Sequence, residues 1–246
     1  MNTWVVVAVL DSWVAYNHPD LINNMWDGSN CVNEEWVFLW GCIHGYDYDN
    51  NDKNPMLVST DHGTHVAGII SASMNNSKWI IGVNPQSKIM ALKIEKFTTM
   101  EIVNAINFAK YNGAKVINAS FWAYNWLDEL LYNAIKSYWE SGWIFVAAAW
   151  NSAKNHDLWG TNITFPAGYG VDNVFSGKTL TGLTNIISVA ATDNQDNLAY
   201  FSDYGANAVH VWAPWVSIYS TIQSNIKNVL YTEDFSGSYL TGNTYS

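Results

Sequence analysis

Short runs of apolar residues recur along this chain. The first, residues 5–10, is rich in β-branched side chains and shows no alternation of apolar and polar positions. A strand of that kind is buried on both faces, as the strands of a parallel sheet are. The same interpretation predicts further buried strands over residues 88–94, 116–120, 143–149 and 186–191.

Two stretches between these runs have helical periodicity. Thr98 and Glu101 form a capping box that predicts the start of a helix, and Gly113 predicts its end. Residues 127–139 place their apolar side chains on one helical face, and Gly142 ends that pattern. Strands alternating with helices predict an α/β fold, with a mostly parallel central sheet and helices on both faces. No internal repeat or linker divides residues 1–246, so we expect a single domain.

Composition narrows the range of functions. The formal net charge is -10, and all 11 basic residues are lysine. The absence of arginine argues against recognition of nucleic acid or phosphate groups, whereas an acidic surface suits bound cations. No apolar run reaches the length of a membrane span, and residues 1–10 lack the layout of a signal peptide.

The polar stretch over residues 22–61 contains a pair of cysteines and an acidic run, and each has two structural interpretations. Cys31 and Cys42 either form a disulfide bond, which would indicate an oxidising compartment, or remain free thiols. The acidic run from Asp47 to Asp52 is either a solvated loop or a calcium site.

Two residues stand where catalytic groups are expected. Asp11 directly follows the first predicted strand, at the end of the sheet where functional groups collect in open α/β folds. His62 precedes a helical pattern of small apolar residues, so it would lie at a helix N-terminus. The helix dipole favours neutral imidazole there, which is the form a general base needs. Each residue also has a purely structural alternative, as a cap of a turn or of a buried helix.

The motifs around these residues are long. The strings VAVLDS at residues 7–12 and DHGTHVAGII at residues 61–70 resemble the catalytic-Asp and catalytic-His motifs of the subtilisin-like serine proteases. Further segments similar to that family are residues 120–122, 147–152, 165–167 and 187–221. The resemblance runs from about residue 3 to the end of the chain, and the order Asp, His, hydroxyl is the subtilisin order.

The resemblance implies a three-layer subtilisin-like fold and hydrolysis of peptide bonds through an acyl-enzyme. In that family, Asp11 would orient His62, and His62 would take the proton of the nucleophile. Asn151 would donate its side-chain amide to the developing oxyanion. The resemblance also implies a secreted protein whose signal and propeptide are not in this chain, and we expect a monomer.

The resemblance further assigns ligand-binding residues. An extended protein or peptide substrate would pair with Ser120, Phe121 and Trp122. A structural calcium ion would be bound by the carboxylate of Asp20, the side chain of Asn76 and the carbonyl groups of Met74, Lys78 and Ile80. A plain turn is the alternative for the segment from Met74 to Ile80.

The C-terminal end departs from the family pattern. In register, Thr244 takes the position of the nucleophilic serine, and the sequence of the helix that should carry the nucleophile is missing. The β-methyl group of threonine adds bulk and restricts χ1. We therefore interpret the chain as a C-terminally truncated subtilase sequence with little or no activity as written. The alternative is a catalytically inactive relative that binds peptides or proteins.

Tryptophan also replaces glycine at five positions of the family motifs. These positions are Trp13, Trp79, Trp122, Trp150 and Trp215. Glycine supplies positive φ or close backbone approach in such loops, and tryptophan supplies neither. The absence of arginine and the abundance of Asn and Lys suggest an AT-rich genome, so one hypothesis is that UGA codons encode glycine there. The other is that the tryptophans are genuine and that Trp122 and Trp150 fill the catalytic cleft.

Overall fold

A computed structural model describes residues 4–33, 35–56, 61–78, 80–122, 127–158, 163–175, 178–222, 231–234 and 238–240. Trp79 and Thr244 lie outside these residues. The described strands are β1 (Val6–Asp11), β2 (Gly45–Asp47), β3 (Lys88–Lys93), β4 (Val116–Ala119), β5 (Ile144–Ala148), β6 (Asn173–Phe175), β7 (Lys178–Leu180), β8 (Ile186–Thr192), β9 (Val211–Pro214), β10 (Ile218–Ser220), β11 (Tyr231–Asp234) and β12 (Ser238–Leu240). The described helices are α1 (His62–Ser71), α2 (Thr99–Tyr111) and α3 (Glu129–Glu140), with short 3₁₀ turns at Ile22–Asn24, His156–Leu158 and Ala167–Gly170.

Seven strands form a central sheet in the order β2-β3-β1-β4-β5-β8-β9. Every neighbouring pair in it is parallel. Two small antiparallel sheets, β10-β11-β12 and β6-β7, lie outside it. All five predicted strands belong to the central sheet, so the prediction of a mostly parallel sheet is confirmed.

Helices cover both faces of this sheet. Along β1, Ala8 and Leu10 pack in one apolar cluster with residues of α2 and α3. The alternate residues Val7 and Val9 pack in a second cluster with Val66 of α1. Because successive side chains of a strand point to opposite faces, α1 lies on one side of the sheet and α2 and α3 lie on the other. This arrangement confirms the three-layer α/β fold.

The predicted helix starts are set by side-chain caps. Thr98 and Glu101 make the reciprocal bonds of a capping box at the start of α2, as the sequence indicated. α3 begins at Glu129 rather than Leu127, because Asp128 is its N-cap and accepts the N–H groups of Leu130 and Leu131. None of the described helices has the length and apolar character that a membrane crossing requires.

The polar stretch before α1 is fixed by covalent and ionic contacts. Cys31 and Cys42 form a disulfide bond, which confirms the first of the two alternatives. Asp47 is buried, and its carboxylate accepts Lys93 Nζ at 2.9 Å together with the N–H groups of Asp49 and Asn50. Its oxygens therefore stabilise a turn and an ion pair, which favours the loop interpretation of this acidic run.

Candidate active site

Asp11 and His62 meet at the carboxyl end of the central sheet. Asp11 is the last residue of β1, and His62 is the first residue of α1. His62 Nδ1 lies 2.6 Å from Asp11 Oδ1, and the two side chains are 27% and 5% exposed. A carboxylate bound at Nδ1 leaves Nε2 as the nitrogen that can take a proton from a nucleophile. The predicted pairing of these two side chains is therefore present.

A glycine allows the helix to approach the strand this closely. A Cβ atom on Gly63 would lie 2.7 Å from the Trp13 carbonyl oxygen and 3.2 Å from Asp11 Cβ. The Gly63 N–H donates instead to Ser12 Oγ at 3.2 Å, and the Ser12 N–H donates to Asp11 Oδ1 at 2.7 Å. The His-Gly pair of the motif thus brings the start of α1 onto the end of β1.

The opposite side of α1 is held by β10 and by Thr221, the residue that follows it. A Cβ atom on Gly68 would lie 2.2 Å from Thr221 Oγ1 and 2.4 Å from Ser220 Oγ. The Ser220 and Thr221 hydroxyls donate to the carbonyl oxygens of His65 and Thr64, both at 2.6 Å. α1 is therefore clamped between β1 and β10, and His62 is fixed at its N-terminus.

His65 is a structural residue on this helix. Its ring is buried, and Nε2 lies 3.1 Å from the carbonyl oxygen of Ile218. Burial lowers the pKa of His65 to about 4, with a smaller lowering from the charge of His62, while the hydrogen bond to Ile218 opposes the shift. His65 is thus neutral at physiological pH, and His62 is the histidine placed for acid–base chemistry.

A cavity of about 260 Å³ opens beside His62. Its lining includes His62, Ser120, Trp150 and Asn151, which brings three of the predicted site residues to one place. Phe121 does not line it, because the Phe121 side chain is 4% exposed and packs in the core against Phe97. Any contact of Phe121 with a substrate therefore involves its backbone.

The comparisons with known proteins agree with this geometry. A model of the subtilase family matches residues 2–243. The chain belongs to the subtilase family. It is 38% identical over 224 residues to a thermophilic serine proteinase of Bacillus sp. (strain AK1), covering 89% of this chain and 46% of that protein. It is 33% identical over 219 residues to thermitase of Thermoactinomyces vulgaris, covering 87% of this chain and 64% of thermitase.

A solved structure supports the same fold. A cold-adapted subtilisin-like serine proteinase superposes with a TM-score of 0.64 at 23% identity, covering 96% of this chain and 68% of that one. This chain therefore spans about half to two thirds of the first relatives it matches, and the family and its fold are shown over that span.

Two tryptophans stack beside this cavity, and one of them, Trp150, is in its lining. The rings of Trp122 and Trp150 are stacked, with centroids 5.6 Å apart and planes inclined by 26°. Trp150 has φ of +101°, a conformation that bulky residues rarely adopt. Trp13 is 2% exposed, and its indole N–H has no hydrogen-bond partner among the described residues. Trp215 also lines the cavity.

Three of the residues suggested for calcium, Asp20, Asn76 and Lys78, are joined by hydrogen bonds. Asp20 is 5% exposed, and its carboxylate accepts the side-chain amide of Asn76. The Asn76 carbonyl oxygen accepts the N–H of Lys78 at 3.1 Å. Within the described residues, no cluster of three or more His, Cys, Asp or Glu side chains could hold a metal ion. A calcium ion here would therefore depend on one carboxylate with amide and carbonyl oxygens, which are ligands that calcium accepts.

One cavity residue was missed by the sequence analysis. Asn118 lines the cavity from β4, and its side-chain N–H donates to Ser120 Oγ at 2.8 Å. The signal was present in the sequence, because a buried apolar strand has little reason to carry an amide unless that side chain has a partner.

Proposed function

We propose that this chain is part of a subtilisin-type serine endopeptidase. The observation that supports this proposal best is the 2.6 Å contact between Asp11 and His62, with His62 lining the same cavity as Ser120 and Asn151. An imidazole and an amide donor on one cavity, with a carboxylate bound to the imidazole, are parts that acyl transfer requires.

Each residue has a defined role in the proposed reaction. His62 Nε2 takes the proton of a hydroxyl as its oxygen attacks the peptide carbonyl carbon, and Asp11 stabilises the imidazolium. Asn151 donates its side-chain N–H to the oxyanion. In a subtilisin, the enzyme from which this figure comes, one such donor lowers the activation barrier by about 3–4 kcal/mol. His62 then gives the proton to the leaving nitrogen as the C–N bond breaks, and water hydrolyses the acyl-enzyme.

The proposed reaction also needs a nucleophilic hydroxyl group. Thr244, which the register aligns with the family serine, lies outside the described residues. We infer that the 246-residue chain as written has little or no turnover, because loss of the nucleophile in a subtilisin costs on the order of a million-fold. Casein hydrolysis by this chain, lost in both Thr244→Ala and Asp11→Asn, would contradict that inference.

A fluorophosphonate probe on the full-length gene product tests the endopeptidase proposal. We expect one serine to be labelled, and labelling in Asp11→Asn to slow on the order of 10⁴-fold because the imidazole loses its orienting carboxylate. A folded gene product with no labelled serine would reject the proposal.

The stacked pair Trp122–Trp150 supports a second candidate, a catalytically inactive domain that binds extended peptides. On that proposal the gene product is not labelled, and it binds a peptide library in a manner that depends on Ser120 and its neighbours. If the five tryptophans at family glycine positions are glycine in the natural protein, this second candidate loses its support. The coding DNA decides, because UGG codons at those positions would exclude glycine.

We also propose a structural calcium ion held by Asp20, the Asn76 side chain and the carbonyl groups of Met74, Lys78 and Ile80. The buried Asp20 carboxylate, with only an amide as its described side-chain partner, supports this site. Calcium should raise the melting temperature of the unsubstituted chain, and it should not raise that of the Asp20→Asn variant. An equal increase in both proteins would contradict the assignment.

We propose that the protein acts outside the cell as a monomer, on protein or peptide substrates in extended conformation. The disulfide bond Cys31–Cys42 supports an oxidising compartment. The single domain over residues 1–246 remains a prediction.

A further inference from the structure

A second histidine–aspartate pair is buried away from Asp11 and His62. His156 and Asp203 are both 0% exposed, and His156 Nε2 lies 2.9 Å from Asp203 Oδ2. A buried polar pair of this kind is stable only where hydrogen bonds satisfy it, so its partners indicate what it does.

The partners of Asp203 lie on both sides of Asn151. The Asp203 N–H donates to the carbonyl oxygen of Trp150 at 2.7 Å. Asp203 Oδ1 accepts the N–H of Ser152 at 2.7 Å and that of Lys154 at 3.0 Å. One residue thus holds the peptide groups immediately before and after the amide side chain at the cavity.

The same segment is tied down at its far end. The His156 N–H donates to the Tyr204 carbonyl oxygen at 2.7 Å, and the Tyr204 N–H donates to the Lys154 carbonyl oxygen at 2.9 Å. With Nε2 bound to Asp203, the His156 ring and backbone both anchor the loop that runs from Trp150 to His156. The loop is exposed at Asn151 and Ser152, so its bonds to Asp203 and Tyr204 hold it in place.

We propose that Asp203, supported by His156, is the positioning residue of the oxyanion donor: it fixes the loop 150–154 so that the Asn151 amide points into the cavity. The assignment of Asn151 as that donor rests on the proposed function. An oxyanion donor contributes only when it is already oriented at the moment of reaction, so its loop must be rigid.

Two variants of Asp203 separate the hydrogen bonds from the charge. Asp203→Ala removes both acceptors for the loop, whereas Asp203→Asn keeps a carbonyl oxygen for Ser152 and Lys154 and an amide for His156. In the 246-residue chain, amide hydrogen exchange should quicken at least about tenfold at Ser152 and Lys154 in Asp203→Ala. Asp203→Asn should restore protection at both amides.

Turnover of the full-length gene product gives the second measurement. Asp203→Ala should lower kcat on the order of 10²-fold with little change in KM, because the misplaced amide acts in the transition state. Asp203→Asn should recover most of that loss. The exchange measurement needs no turnover, so it decides the positioning role even if the gene product proves not to be a peptidase.

Asp157 provides a matched control in the neighbouring loop. Its carboxylate also accepts backbone N–H groups, those of Ala206, Asn207 and Ala208 at 2.7, 3.1 and 3.0 Å. Asp157→Ala should lower stability but leave exchange at Ser152 and Lys154, and kcat, unchanged. Unchanged exchange in Asp203→Ala, or equal effects of the two alanine variants on that loop, would overturn the proposal.

Discussion

Among the described residues, three tryptophans have a backbone conformation that favours glycine. The φ angles are +61° at Trp36, +55° at Trp40 and +101° at Trp150. Bulky residues in this region cost about 1–3 kcal/mol each, because Cβ crowds the neighbouring peptide groups. Of these three, only Trp150 is at a glycine position of the family motifs. Trp36 and Trp40 are identified as positions suited to glycine by their φ angles alone.

A comparison of glycine and alanine at these positions tests the backbone alone, because both substitutions remove the indole. At Trp150 we expect Gly to be more stable than Ala by about 1 kcal/mol, since only glycine adopts positive φ without strain. The same order should hold at Trp36 and Trp40. Urea unfolding of each pair of variants measures the difference in free energy of unfolding.

Trp139 is the control for that comparison. It lies in α3, is 40% exposed and has a helical backbone. Alanine should be more stable than glycine there by about 1 kcal/mol, which is the ordinary helix preference. If Trp150 gave the same order as Trp139, the interpretation of position 150 as a glycine position would be wrong.

At the scale of elements, the sequence predicted those parts of the site that are encoded by a local sequence pattern. β1 and α1 were recognisable because an unbroken apolar run and a His-Gly helix start are contained in short stretches. β10 was not predicted as a strand, because three residues with mixed burial carry no periodicity. Its contact with α1 joins residues more than 150 apart, which no local pattern encodes. Asp203 was missed as a positioning residue for the same reason, since its partners lie about 50 residues earlier.

The close packing of α1 on β10 predicts that Gly→Ala in this helix lowers stability, the opposite of the usual effect. In most helix interiors, Gly→Ala stabilises by about 1 kcal/mol. At Gly68 the new methyl group would lie 2.9 Å from the Thr221 backbone nitrogen as well as against two hydroxyls, and a backbone atom cannot turn away as a side chain can. We expect Gly68→Ala to destabilise the protein by about 1–3 kcal/mol, as overpacking does. Thermal unfolding of the variant checks this, and a gain in stability would show that α1 is not clamped as described.

At the scale of the whole molecule, the site depends on two sheets meeting at one helix. The central sheet supplies Asp11 through β1, and the small antiparallel sheet fixes α1 from behind through β10. Conditions that loosen this contact therefore affect both the stability of the protein and the position of His62. The buried ring of His65, bonded to β10, is the ionisable group at that contact.

The pH dependence of stability follows from His65. Its pKa is lowered to about 4 in the folded protein, so between pH 4 and its ordinary value of 6.5 the unfolded chain binds a proton that the folded chain does not. The free energy of unfolding should therefore fall as the pH is lowered through this window, by up to about 3 kcal/mol from this residue. His65→Gln keeps a donor for the Ile218 carbonyl oxygen and does not titrate. Urea unfolding of both proteins should show a stability difference that changes across this window and is nearly constant above it, because only one of the two has an imidazole at position 65. Parallel pH profiles would mean that His65 is not buried as a neutral ring between α1 and β10, and the contact of that ring with Ile218 would not be part of the clamp.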